Sequence, residues 1–143
     1  MITARSRAAL SAYRSVGVES IVDSASPHQL VLMLFDGAIF ALADAKQYMA
    51  RKEIAAKGMS LSKAIMIIES GLRASLDVKA GGELGQRLDA LYAYMCDRLL
   101  RANLHNRPEI IDEVSRLLGE LREAWAQIKP AVAAGTDPRT IQR

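Results

Sequence analysis

The sequence predicts an all-α protein, an antiparallel up-down four-helix bundle carried by residues 26–129, and three observations lead there. Ala and Leu supply 40 of the 143 residues (23 and 17), and both are strong helix formers. Four segments of about 20 residues repeat their apolar positions at the three-to-four-residue spacing of a helix. Connectors of about two to six residues join them, and no stretch shows strand alternation. The length suits one domain with one core.

Residues 1–25 carry Leu10, Tyr13, Val16, Val18, Ile21 and Val22 without a sustained stripe. They read as a mobile arm holding at most a short helix around Arg7 to Arg14. The first clear start signal is Ser26-Pro27-His28-Gln29: Ser26 caps, Pro27 fits the first helical position, and Gln29 completes a capping box. That helix should run to Met49 or Ala50. A second pattern spans Glu53 to Leu76, with Leu61, Ala64, Ile65, Ile68, Leu72 and Leu76 on one face, until Gly81-Gly82 breaks the chain. A third, Glu83 to Leu104, gathers Leu84, Leu88, Leu91, Tyr92, Met95, Leu99 and Ala102. Asn103 and Asn106 mark its end. Pro108 opens the fourth, which carries Ile110, Val114, Leu117, Leu118, Leu121, Trp125 and Ile128 until Lys129-Pro130 stops it. Residues 130–143, punctuated by Pro and Gly, are expected to be a disordered tail.

Composition removes several function classes. The formal charge is +3, from 19 Lys and Arg against 16 Asp and Glu. The basic residues are scattered among acids with no stripe, and few aromatics accompany them, so they read as solvated helix faces and not as a nucleic-acid groove. No run of about 18 uncharged apolar residues offers a membrane span, and the N-terminus lacks the apolar core of a signal peptide. A single cysteine, Cys96, provides neither a disulfide nor a zinc cluster, and suits the cytoplasm. Cofactors are not expected. His28 and His105 have no carboxylate, Cys or His partner at helical spacing, Gly81-Gly82-Glu83-Leu84-Gly85 lacks the lysine of a phosphate loop, and Cys96 has no plausible base. No enzymatic chemistry is legible.

The informative signal is an excess of apolar surface. On the fourth helix the apolar residues occupy one arc, and Asp112, Glu113, Arg116, Glu120, Glu123 and Gln127 fill the rest. The first helix has a wide core face and, beyond it, the pairs Leu32/Ile39 and Met33/Phe40. The third adds a second stripe, Ala93, Cys96, Leu100 and Leu104, and the second adds Met59, Met66 and Ile67 off its main face. A helix apolar nearly all round is buried on two sides. The arm, self-association into a homodimer, or a docked partner helix could cover the surplus, and Met-rich, Leu-rich surfaces suit adaptable helix grooves. Asp36 interrupts the first helix beside Gly37 as an inter-helix hydrogen-bonding residue or a partner contact; Asn103 is given the same two roles.

These residues also compose a familiar order. Ser26-Pro27-His28-Gln29-Leu30 followed by Met33-Leu34-Phe35-Asp36-Gly37-Ala38 resembles the opening helix of the flagellar secretion chaperone family. So do Ser62-Lys63-Ala64-Ile65, Leu76-Asp77 with Gly81-Gly82-Glu83, Leu91-Tyr92-Ala93-Tyr94-Met95, Arg98-Leu99-Leu100-Arg101-Ala102-Asn103 and Leu121-Arg122-Glu123-Ala124-Trp125. The similarity covers roughly Ser11 to Ile128. Phe35 stands where the family usually carries Tyr. The resemblance implies a cytoplasmic export chaperone that binds the disordered C-terminal segment of flagellin, prevents its premature polymerisation and keeps it competent for flagellar type III secretion, with export-gate and regulatory proteins as further partners. It also implies that the arm around Tyr13 and Val16 lies over part of the client groove. The alternative is a homodimeric bundle whose surplus faces serve self-association.

Overall fold

The computed structural model describes residues 25–128. Four helices make up this part of the chain: α1 (Pro27–Ala50), α2 (Ile54–Met66, prolonged by a π-helical stretch, Ile67–Arg73), α3 (Val78–His105) and α4 (Pro108–Ala126). No strand occurs among the described residues, and the protein is all-α.

The expected start of α1 is present in detail. Ser26 has extended backbone (φ −73°, ψ 164°); its Oγ accepts from the Gln29 N–H at 3.1 Å, and Gln29 Oε1 accepts from the Ser26 N–H at 2.9 Å. Two donors that the first turn leaves without intrahelical partners are thereby satisfied. The helix ends in a Schellman arrangement: Glu53 N–H bonds to Tyr48 O at 2.9 Å and Lys52 N–H to Met49 O at 3.1 Å, with Lys52 in the left-handed region at φ 60°.

Helix α1 packs against α2 and α4, and α3 packs against the same two neighbours. Between α1 and α4 the pairs are His28 with Trp125, Asp36 with Arg122, and Lys46 with Asp112. The His28 and Trp125 rings stack with centroids 5.2 Å apart. Trp125 Nε1 donates to the His28 carbonyl, and His28 Nε2 donates to the Trp125 carbonyl, each at 3.0 Å. Between α2 and α3, Lys57 reaches Asn103 and Asn106 at one end, and Arg73 reaches Asp89 at the other. The core lies inside this ring of helices and includes Leu34, Leu42, Leu61, Ile68, Met95, Leu99, Val114 and Leu118, none with measurable exposure. Each contributes roughly 1.5–3 kcal/mol by leaving water.

Three sequence expectations change here. Ile67 is fully buried, not off the main face of its helix, because both α1 and α3 pack against the π-helical stretch it opens. Cys96 is 9% exposed and belongs to the core: on the expected outer stripe of α3, it lies at the edge that α2 covers, with Sγ 3.9 Å from Ile65 O. Leu84, expected in the core, is 67% exposed. Gly82 has non-helical backbone (φ 59°, ψ −138°), so the turn before it does not share the register of the long body of α3. Gly85 allows that turn to fold back closely, since a Cβ there would come 3.1 Å from the Val78 carbonyl oxygen.

Helix α1 is also long and apolar enough to cross a membrane by length and composition. Its apolar side is nevertheless packed into the core, and Asp36 in its middle is ion-paired across to α4. It is built as a core helix.

Candidate partner-binding face

The surplus apolar residues divide between two sides of α1. Asp36 receives Arg122 Nε at 2.7 Å, which fixes its stripe toward α4. Leu32 and Ile39, four residues before it and three after, share that stripe and are half-buried. Met33 and Phe40 occupy the other side. Met33 is half-buried against the core, while Phe40, one heptad on, is 71% exposed.

That second side meets the outer surface of α2, where an open recess of about 900 Å³ is lined by α1 (Ala41, Asp44, Tyr48), by most of α2 and by Asn103 of α3. The floor is made of short residues, Ala55, Ala56, Gly58, Ser60 and Ser62, with Met59 and Met66 as its long apolar side chains. Nothing occupies the space beside Gly58 where a side chain would project. Short residues on α2 leave it sunk between the two helices it packs against. Met59 is 74% exposed, and Leu100 and Leu104, flanking Asn103 on α3, are 58% and 74% exposed. Flexible thioethers over a small-residue floor, with an aromatic on one rim and two leucines on the other, form a surface a helix can press into.

Of the predicted residues the recess takes in Met66 and Asn103; Phe40, next to Ala41 in sequence, and Leu100 and Leu104, near Asn103, are exposed outside its lining, and half-buried Ala93 lies further back along α3. Leu32 and Ile39 stand apart on the α4 side. Ile67 and Cys96 are inside. Asp36 makes its inter-helix ion pair, and the Asn103 carbonyl accepts from Lys57 Nζ at 3.0 Å. Tyr13 and Val16 lie outside the described residues. Met59, one heptad before Met66, lines the recess with it.

Among the described residues no group of three or more His, Cys, Asp or Glu is placed to hold a metal ion. Burial pushes the Cys96 thiol up to about 11, away from the thiolate form.

Residues 9–132 match the profile of the family described as flagellar protein FliS. The chain belongs to the FliS family. FliS relatives cover nearly all of it. It is 53% identical over 121 residues to the flagellar secretion chaperone FliS of Salmonella typhimurium strain LT2, spanning 85% of this chain and 90% of that one. It is 52% identical over 116 residues to FliS of Escherichia coli K12 (81% and 85%). Against the flagellar secretion chaperone FliSB of Pseudomonas aeruginosa it is 44% identical over 117 residues (82% and 92%). The FliS match takes in all four helices and residues 9–24 of the arm.

Proposed function

We propose that this FliS-family chain binds the disordered C-terminal segment of flagellin in the cytoplasm, prevents its premature polymerisation and holds it competent for flagellar type III secretion. The carrying observation is the recess over α2: Met59 and Met66 stand over a floor of short residues, and exposed Phe40 of α1 and Leu100 and Leu104 of α3 lie close in sequence to residues that line it. A segment unstructured while free would fold there as amphipathic helices. Such coupled folding loses part of its interaction energy to ordering and so needs a large apolar surface. The opposed pairings along α1/α4 and α2/α3 support an up-down antiparallel bundle, a rigid frame that keeps the recess open before the client arrives. Release requires no nucleotide; competing contacts at the export gate suffice.

The test is calorimetric titration of a flagellin C-terminal peptide into the wild-type chain and into Phe40→Asp and Leu100→Asp. Both positions are largely exposed, so the variants should melt like the wild type. Binding should weaken by about tenfold or more in each, about 1.4 kcal/mol per decade. Unchanged affinity in both soluble variants would remove the recess from the client site. A dimer that persists unchanged with client bound would assign these side chains to self-association.

A further inference from the structure

Tyr48, Ala55 and Asn103 line the recess, and their near neighbours in sequence, Met49, Ile54 and Asn106, line a second, separate concavity of about 580 Å³, at the end of the described bundle where α1 and α3 finish and α2 and α4 begin. Met49, Ile54 and Pro108 give this concavity an apolar floor, with Ile54 62% exposed. Lys46 and Lys52 line it as well. Lys46 is held by Asp112 at 2.7 Å. Lys52 and the adjacent Arg51 have no ion-pair partner among the described residues, although every other described arginine has an acid. The segment Arg51-Lys52-Glu53 holds two cations and one acid, so its net charge is positive.

The backbone adds an independent observation. Lys52 occupies the residue after the α1 cap at φ 60°, the left-handed position where glycine is unstrained and a lysine is not. The Schellman end of α1 thereby sets a cation in the lining of an apolar concavity near the client recess.

An apolar chain ending in a free carboxylate matches both halves. We infer that this concavity receives the C-terminal end of the bound client, with its last apolar side chain on Met49, Ile54 and Pro108 and its α-carboxylate against Lys52 and Arg51. The inference rests on the proposed binding of a C-terminal segment in the adjoining recess. The bound chain then leaves the recess at the first turn of α2, which fixes its direction along that helix.

Two synthetic flagellin C-terminal peptides, one a free acid and one amidated, decide it by calorimetry. Against the wild-type chain the amidated peptide should bind about five- to tenfold more weakly, the scale of one charge-assisted contact at a partly exposed site. The gap should fall below twofold in the double variant Arg51→Gln/Lys52→Gly. Lys52→Gly relieves the left-handed strain, so it should melt at or above the wild-type temperature, and a lost gap is then not misfolding. Equal affinity of acid and amide for the wild type, or a gap that survives in the double variant, overturns the inference and leaves the recess intact as a site. Failure of both peptides to bind the wild type removes instead the reading on which it rests.

Discussion

At the scale of single residues, the buried polar groups follow their partners. Lys57 is only 3% exposed and has no carboxylate in reach; its Nζ donates to Asn103 O and to Asn106 Oδ1, at 3.0 and 2.6 Å. Both acceptors sit at the C-terminal end of α3, where unpaired carbonyls and the helix dipole favour a cation. One ammonium thus caps a neighbouring helix from the side, and Asn106, at φ 53°, presents the amide that completes the cap. Cys96 is the opposite case, a titratable group kept neutral. Its thiol is pushed by burial from 9.0 to about 11, so the folded state holds the proton more tightly than the unfolded state does. The sign follows: this contribution is complete below about pH 9 and is lost as pH rises toward about 11. The urea midpoint of the wild type should therefore fall across that interval. Cys96→Ala should lack that component and retain only the part from groups such as Tyr92, whose hydroxyl burial also raises. Parallel pH profiles for the two proteins would show that Cys96 is not coupled to folding.

At the scale of elements, the helix ends were the most readable part of the chain, because each is specified within four or five residues. The Ser26–Gln29 box is a local reciprocal bond pair, and Ser26→Ala should cost about 1 kcal/mol, read as a lower urea midpoint with unchanged slope. A variant as stable as the wild type would mean that the stacked His28 and Trp125 alone fix the start of α1. Pro108 at the first position of α4 and the break at Gly82 were equally legible. Face assignments failed where burial depends on how many neighbours cover an element. Ile67 is inward because both α1 and α3 cover the π-helical stretch it opens, and no residue between Ile67 and Arg73 announces that widening. Arg73 profits from it, bonding Glu69 and, at 2.7 Å, Asp89 of α3. Leu84 keeps the register of Leu88 and Leu91 but stands in the first turn after the Gly82 break, and spacing within one helix does not say where its neighbours end. The recess over α2 was half visible. The second stripes on α1 and α3 could be read from spacing, but that they flank the same helix depends on which neighbours pack together, and that is a property of the assembled bundle. Leu32 and Ile39 had the same periodic signal as Phe40 and ended on the α4 side for the same reason.

At the scale of the whole molecule, the surface charge is spent internally. Arg87–Glu83, Arg101–Asp97, Arg116–Glu120 and Arg107–Glu109 pair along their own helices or turns, and Arg98–Glu113, Arg122–Asp36, Arg73–Asp89 and Lys46–Asp112 pair between helices. Each exposed pair contributes little to stability, about 0–1 kcal/mol, but among the described residues they leave Arg51, Lys52, Lys63 and Lys79 as the exposed cations without an acid. The larger exposed surplus is apolar: Met59 in the recess and Phe40, Leu100 and Leu104 on the helices beside it. Partner association should then carry the signature of apolar burial, a clearly negative heat-capacity change, with weak dependence on salt. If one carboxylate is engaged at Arg51 and Lys52, the slope of log Kd for the flagellin peptide against log salt should not exceed about one, since a single neutralised charge releases about one counterion. Calorimetry at several temperatures and between low and moderate salt measures both quantities. A slope of several units with a heat-capacity change near zero would mean that distributed charge drives association, and the recess would lose its place as the binding surface. A shallow slope with a strongly negative heat capacity requires that the apolar surplus of three helices, exposed in the free chain, is what the partner covers.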